Sequence, residues 1–321
     1  MEVTVRLPKL YIHVRQATHF LRWERDEFAK YFELVSEPSE DVPLLSFGPD
    51  VLEEASELPA SKRFAVLFPG FRHNPVYNLE NRELHHRLIK NHFTYVFINP
   101  GPLEIAYKGL DNIVMYPFSV DTNLVKFKRY RRAIKSILHV SSDSPQKDWQ
   151  RSEAIMKKTG LRYEVYPPRD PDFFSRITKN NITKNKIRNF VGLRQKKYLP
   201  LGYVDHSKVV RKYQKYDAFI HVAKDIKDPN DGVDGKYTAA FIEAGLTGAI
   251  MFWHDTYGLG NGLKTVFELP LDPDEAALRI IQISKKINIK KHSKETRKEM
   301  LRVFNPQDSV KTRAKKILKS I

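Results

Sequence analysis

The chain has 321 residues and a formal charge of +17, long enough for two domains of ordinary size and basic enough to ask which polyanion it meets. It contains no cysteine, which excludes disulfides, thiolate metal sites and cysteine nucleophiles and suits a reducing cytoplasm. No apolar run approaches the roughly 18 residues that span a bilayer, and the opening MEVTVRLPKLYIHV lacks a basic stretch followed by a long apolar core. The expectation is a soluble, cytoplasmic protein without a transmembrane segment, working in solution, at the inner membrane surface or on DNA.

In chain order, the hydrophobic pattern predicts a strand over 10–14, the polar turn RQATHF and a helix through 23–32. A strand over 42–47 closes at Gly48 and Pro49, and a helix over 52–58 follows. The strand over 64–68 ends in the loop PGFRHNP; a helix over 79–90 and strands over 93–98 and 113–116 complete a first series. After the polar, basic stretch SVDTNLVKFKRYRR, a second series opens with a strand over 137–140, the loop SSDSPQKDW, a helix over 151–158 and a strand over 163–166. Residues 167–197 are basic and rich in Asn and Lys, yet Phe173, Phe174, Ile182, Ile187 and Phe190 make them too apolar for pure disorder. Segments 199–204, 207–215 and 218–222 continue the pattern, and helices over 273–287, 294–303 and 309–320 end it. Strands separated by helices argue for parallel α/β sheets. The division expected is 1–125, 126–300 and a basic C-terminal helix over 301–321 that packs back on the first domain.

The stretch 217–262 carries the chemistry. An apolar strand over 218–222, the loop KDPNDGVDG, a helix over 236–247 and a strand over 249–253 form a βαβ unit. Its loop delivers the chain to a helix N-terminus, where unpaired amides and the helix dipole favour an anion such as a diphosphate. Gly232 and Gly235 let the backbone approach a ligand closely, and Glu243 lies about two turns inside the helix. None of the strict phosphate-binding fingerprints is met. On these residues alone an ordinary crossover, whose glycines only turn the chain, is the better reading, because generic phosphate loops are common.

Four segments in order resemble the retaining glycosyltransferases of family 4. GYVDHSKVVRKYQKYDAFIHVA resembles the run from a Gly-Tyr-Val strand end to an Ala-Asp-aliphatic strand. FIEAGLTGAIMFW is similar to the Leu-Glu-Ala-Met-Ala-x-Gly-x-Pro-Val-Val segment through Glu243, Ala244 and Gly248. ILHVSSDSPQKDW resembles the Gly-Arg-Leu-Ser-Pro-Glu-Lys-Gly loop through Ser144, Pro145 and Lys147, and YPFSVDTNLVKF the interdomain Pro-Asn-Gly-Val-Asp-Thr segment through Pro117, Val120, Asp121 and Thr122. The likeness is dense from about 112 to 274 and thin before. Three positions depart from the pattern: Gly235 stands where the family has the first carboxylate of its Glu, seven residues, Glu pair, Ser142 where it has Arg, and Ile250 where it has Pro.

The resemblance implies a GT-B fold, two Rossmann-like α/β domains facing each other across a cleft, and a metal-independent, retaining transferase. It would move a sugar from a nucleotide-diphosphate sugar to a hydroxyl of a glycan, a lipid-linked sugar or a modified DNA base, phage-type DNA sugar transferases being built on the same fold. Leaving-group charge would then be met by Lys147 and the helix start at Lys236, and ribose hydroxyls by Glu243. The donor set implied is Ser142, Lys147, Arg151, His221, Gly235, Lys236, Tyr237, Thr238 and Glu243, with no metal and no cofactor beyond the donor. Asp234, one residue before Gly235, is the nearest substitute carboxylate; His73 and His19 follow predicted strands and are candidates to orient an acceptor hydroxyl, with Lys147 and Asp234 completing the catalytic set. Each has a plain alternative: a solvated loop lysine, a helix-face carboxylate, turn chemistry in DGVDG, and surface or packing roles among 11 histidines, with His221 a strand residue or pocket wall. The expected partners are a nucleotide sugar and a polyanion, duplex DNA or an anionic membrane. The rival function is a nucleic-acid-binding protein that keeps the scaffold without transfer.

Overall fold

The computed structural model describes residues 6–14, 19–48, 51–69, 76–117, 119–123, 125–128, 131–141, 147–166, 206–224, 227–229, 233–254, 256–260 and 262–321, with backbone only for 19–23. The described elements, in chain order, are β1 (Lys9–Val14), α1 (His19–Phe28), β2 (Glu33–Val35), β3 (Leu44–Phe47), α2 (Leu52–Glu57), β4 (Arg63–Leu67), α3 (Leu79–His92), β5 (Tyr95–Ile98), α4 (Pro102–Ala106) and β6 (Ile113–Met115). They continue with β7 (Ser136–Val140), α5 (Trp149–Lys158), β8 (Arg162–Tyr166), α6 (His206–Tyr213), β9 (Ala218–Val222), α7 (Ala239–Leu246), β10 (Ile250–His254), β11 (Val266–Leu269), α8 (Pro273–Lys286), α9 (Ile289–Phe304) and α10 (Pro306–Leu318). The chain forms two compact units: Met1–Thr122 with Asp225–Thr238 and Leu301–Ile321, and Asn123–Lys224 with Ala239–Met300.

In the first unit six parallel strands run in the order β2-β1-β3-β4-β5-β6. Alternation along each strand gives the sheet two apolar faces. Leu44, Ala65, Leu67, Val96 and Ile98 meet α2, α3 and α4 through Leu52, Ala55, Ile89 and Leu103. Leu45, Phe47, Phe64, Val66 and Phe97 meet α1 and α10 through Phe28, Val310, Ala314 and Ile317. The polar seam between α1 and α10 is a buried ion pair: Arg313 donates to both oxygens of Glu24, at 2.9 and 2.6 Å, and Ser119 donates to the same carboxylate at 2.7 Å. Both charged side chains are about 1 % exposed, so removing either partner would strand a buried charge.

The second unit has five parallel strands in the order β11-β10-β9-β7-β8. On one face Ile137, Ala218, Ile220, Val222, Ile250 and Phe252 pack against Ile155 and Met156 of α5 and against Ala276, Ile280 and Ile283 of α8. The other face carries α7, whose residues from Phe241 to Leu246 are all buried. A helix so enclosed has few ways to satisfy its last carbonyls. Here Arg131, 2 % exposed, donates to the Thr247 carbonyl and hydroxyl, and Arg297 donates to the Leu246 carbonyl. Two guanidinium groups at the negative end of the helix dipole favour the same geometry, although burial pushes the Arg131 guanidinium down to about 10.

Among the described residues the parallel α/β series and its order of elements match the pattern read from the sequence, while the segments expected over 167–197 and 199–204 lie outside them. Three short elements went unanticipated: β2, β11 and the five-residue α4, which Pro102 starts after Gly101. A larger difference concerns α7, which begins at Ala239 and not at Lys236. Lys236 and Tyr237 lie instead in a bend. The Lys236 amide nitrogen packs so close to Gly101 that a Cβ there would sit 2.8 Å away, and the Tyr237 ring meets Phe304 edge-on at 5.2 Å. These contacts hold 236–238 to a non-helical course. No helix among the described residues is long and apolar enough to cross a membrane.

Candidate functional site

In the second unit the chain leaves β7 toward the edge strand β8, whereas β9 leads to β10 on the opposite side. Adjacent strands whose connections diverge make a topological switch point, and in open α/β sheets the crevice beyond their carboxyl ends is where ligands bind. The two loops that leave this point are 141–148 after β7 and 223–238 after β9. His139, fully buried, fixes the start of the first loop through Ser141 Oγ at 2.9 Å and the Ile220 carbonyl at 3.2 Å.

The first loop delivers Lys147 to the start of α5. Asp148 is the N-cap, its side chain accepting the Arg151 amide at 3.4 Å, and its φ of +28° is the one positive value outside glycine among the described residues. Aspartate tolerates such a backbone better than most residues because its short side chain bonds locally. The cap leaves the amides of the first helical turn at the end of α5 that Lys147 precedes in the chain, a combination suited to an anion. Arg151 pairs with Asp148, Nε to Oδ2 at 3.3 Å, so its charge is partly committed within the loop.

Past the second loop, α7 carries Glu243, 5 % exposed. His206 Nε2 lies 2.5 Å from Glu243 Oε1, and the Tyr213 hydroxyl bonds the same carboxylate. Burial first, then the neighbouring Glu243 charge, pushes the Tyr213 phenol well above its ordinary value, so it remains a proton donor. His221 on β9 is 3 % exposed and meets the Phe241 ring at 5.9 Å, two residues before Glu243. The structure therefore groups Glu243 with His206 and Tyr213, with His221 joined through Phe241, and groups Lys147 with Arg151 around Asp148.

Asp234, Gly235, Lys236, Tyr237 and Thr238 belong to the first unit. Gly235 lies against Pro69 and Asn99, which follow β4 and β5, and Lys236 against Gly101. A Cβ on Gly235 would stand 3.1 Å from Asn99 Nδ2 and 3.4 Å from Pro69 Cγ, so a side chain at the position where the resemblance asks for a carboxylate would require the Asn99 amide to give way. Asp234, 4 % exposed, accepts the Gly235 amide at 3.0 Å on Oδ1. Lys236, 9 % exposed, holds its ammonium 5.6 Å over the Tyr237 ring. Of His19 only the backbone is described, at the first residue of α1, while Ser142 and His73 lie outside the described residues. Asn99, His206 and Tyr213 were not singled out from the sequence. For the last two the signal was present: in HSKVVRKY the positions i, i+4 and i+7 are His206, Val210 and Tyr213, one face of a helix.

Neither a protein-family model nor a curated protein sequence matches the chain. Solved structures do. Anabaena HepE in complex with UDP-glucose superposes with a TM-score of 0.60 at 12 % identity over 98 % of this chain and 100 % of its own. AviGT4, a glycosyltransferase involved in avilamycin A biosynthesis, gives 0.55 at 12 % identity over 98 % and 99 %. A mutant TarM of S. aureus in complex with fondaparinux, α-GlcNAc-glycerol and UDP gives 0.57 at 13 % identity over 85 % of this chain and 54 % of its own, so this chain spans about half the length of TarM. At such identities the likeness concerns the fold: the two parallel α/β units are the Rossmann-like domains of a GT-B fold.

Proposed function

We propose that the chain is a metal-independent, retaining glycosyltransferase that moves a sugar from a nucleotide-diphosphate sugar to a hydroxyl acceptor. The observation that carries this reading is the topological switch point of the second unit, from which the loop bearing Lys147 and the loop leading to Glu243 both depart. The UDP and UDP-glucose bound by the structural neighbours support a nucleoside diphosphate as the ligand class.

In the reaction proposed, the bond between the sugar anomeric carbon and the diphosphate oxygen breaks, its electron pair stays on that oxygen, and the acceptor oxygen bonds the carbon and releases its proton. Charge grows on the leaving phosphate, so donors fixed there before the reaction lower the barrier. Lys147 and the first-turn amides of α5 fill that role without a metal. Glu243, acceptor-only when ionised, holds the ribose hydroxyls. Asp234, His19 and His73 remain candidates to orient the acceptor, and retention rests on the family resemblance. The acceptor is a glycan, a lipid-linked sugar or a modified DNA base, and the charge of +17 favours one carried on or beside a polyanion.

Thermal unfolding with UDP, GDP and their sugars in the presence of a chelator tests the reading. A ligand that binds only the folded state raises the midpoint. Stabilisation by at least one of them without metal is expected; strict dependence on manganese would remove the metal-free part.

A further inference from the structure

Glu243 is more enclosed than a group held only by its own helix. The residue is 5 % exposed, and both side chains bonded to its carboxylate come from α6. His206 and Tyr213 are seven residues apart, two helical turns, so they project from one face with Val210 between them, and Tyr213 and Val210 are themselves buried. The contact is therefore anchored by packing: the Tyr213 ring meets Phe219 of β9 edge-on at 6.0 Å, and Phe219 meets Phe241 of α7 at 6.4 Å. The His206 side chain, about one third exposed, occupies the more open end of the pair.

We infer that His206 and Tyr213 are positioning residues that fix the Glu243 carboxylate for reading the ribose 2′-hydroxyl of the nucleoside diphosphate, so that recognition of ribose over deoxyribose depends on α6. The inference rests on the donor reading of Glu243 given above. A carboxylate accepts through two oxygens with room for about four hydrogen bonds. With Oε1 bonded to His206 at 2.5 Å, its rotamer is set, and the remaining acceptor capacity is presented in one orientation. An unsupported glutamate on a buried helix face would lose that orientation. A fixed acceptor discriminates most against a ligand that lacks the matching hydroxyl, because the site is then left with an unpaired polar group.

The test measures dissociation constants by calorimetry for UDP and GDP, each beside its 2′-deoxy counterpart, on the full chain. The wild type is expected to prefer one ribonucleotide over its deoxy form by about tenfold or more, the scale of a hydrogen bond to a charged group. Glu243→Gln should bring the two forms near parity. His206→Ala and Tyr213→Phe should each shrink the preference at least severalfold, with weaker loss of affinity for the deoxy ligand than for the ribo ligand, and His206→Gln, which keeps a donor, should restore part of it. Circular dichroism and the thermal midpoint confirm folding of each variant; should Tyr213→Phe fail to fold, the two His206 variants decide alone. Should Glu243→Gln lose the discrimination while His206→Ala keeps that of the wild type, the inference fails and the donor reading survives. If the wild type binds neither nucleotide, or does not discriminate, the donor reading fails and takes the inference with it.

Discussion

Gly235 stands where the family resemblance asks for a carboxylate, and the side chains around it account for the difference. A Cβ there would come within 3.1 Å of the Asn99 amide, itself buried, so a glutamate would force that amide to shift. Gly235→Glu is therefore expected to lower the unfolding midpoint and to leave no gain in turnover, as a melting curve and a donor-hydrolysis assay would read. Lys147 and Glu243 should divide between turnover and affinity. Leaving-group charge grows toward the transition state whereas ribose contacts change little, so Lys147→Ala is expected to cut kcat by about 100-fold. Glu243→Ala should act mainly on donor affinity. Wild-type kinetics in both soluble variants would refute the assignment. Lys147 and Glu243 were legible because they sit in short local strings with family-like spacing. Asn99 was not, because its importance comes from a glycine 136 positions later in the chain. His206 was legible only as one position of an amphipathic face, since nothing in the local string says that the facing helix carries a buried carboxylate.

Most of the helices and strands that position these residues follow from hydrophobic periodicity, because each buries one stripe or both faces of a parallel sheet. β2 and β11 did not, being three and four residues long, too short for a periodic signal. The start of α7 was misplaced because tertiary contacts at Lys236 and Tyr237 override the local preference of KYTAAFIEAGL for helix. Its end is set more sharply. Gly248 has φ of +77°, and a Cβ there would lie 2.4 Å from Phe127 Cε2 and 2.9 Å from the Ser293 carbonyl. Gly248→Ala combines a strained backbone with overpacking and is expected to cost about 2 kcal/mol or more in urea unfolding. A loss below about 0.5 kcal/mol would show that the turn relaxes freely.

At the scale of the molecule, composition pointed to two domains and a polyanion, but the strand orders could not be read from the string. Which strand pairs with which depends on where crossovers pack, and only the order in the second unit reveals that the candidate loops share a switch point. The net charge of +17 makes its own prediction. Gel-shift titration with duplex DNA and sedimentation with anionic vesicles should find one of them bound, with affinity falling steeply as salt rises. Binding to neither at moderate salt would separate the charge from the acceptor.

The most direct test of the central claim is incubation of the purified chain with a panel of labelled nucleotide-diphosphate sugars, without acceptor and with chelator, scored for release of the sugar. One donor should be hydrolysed slowly by the wild type and about 100-fold more slowly by Lys147→Ala, with the nucleoside diphosphate as co-product. Absence of hydrolysis and of binding across the panel, in protein shown to be folded, would contradict the account and leave a GT-B scaffold whose function lies elsewhere.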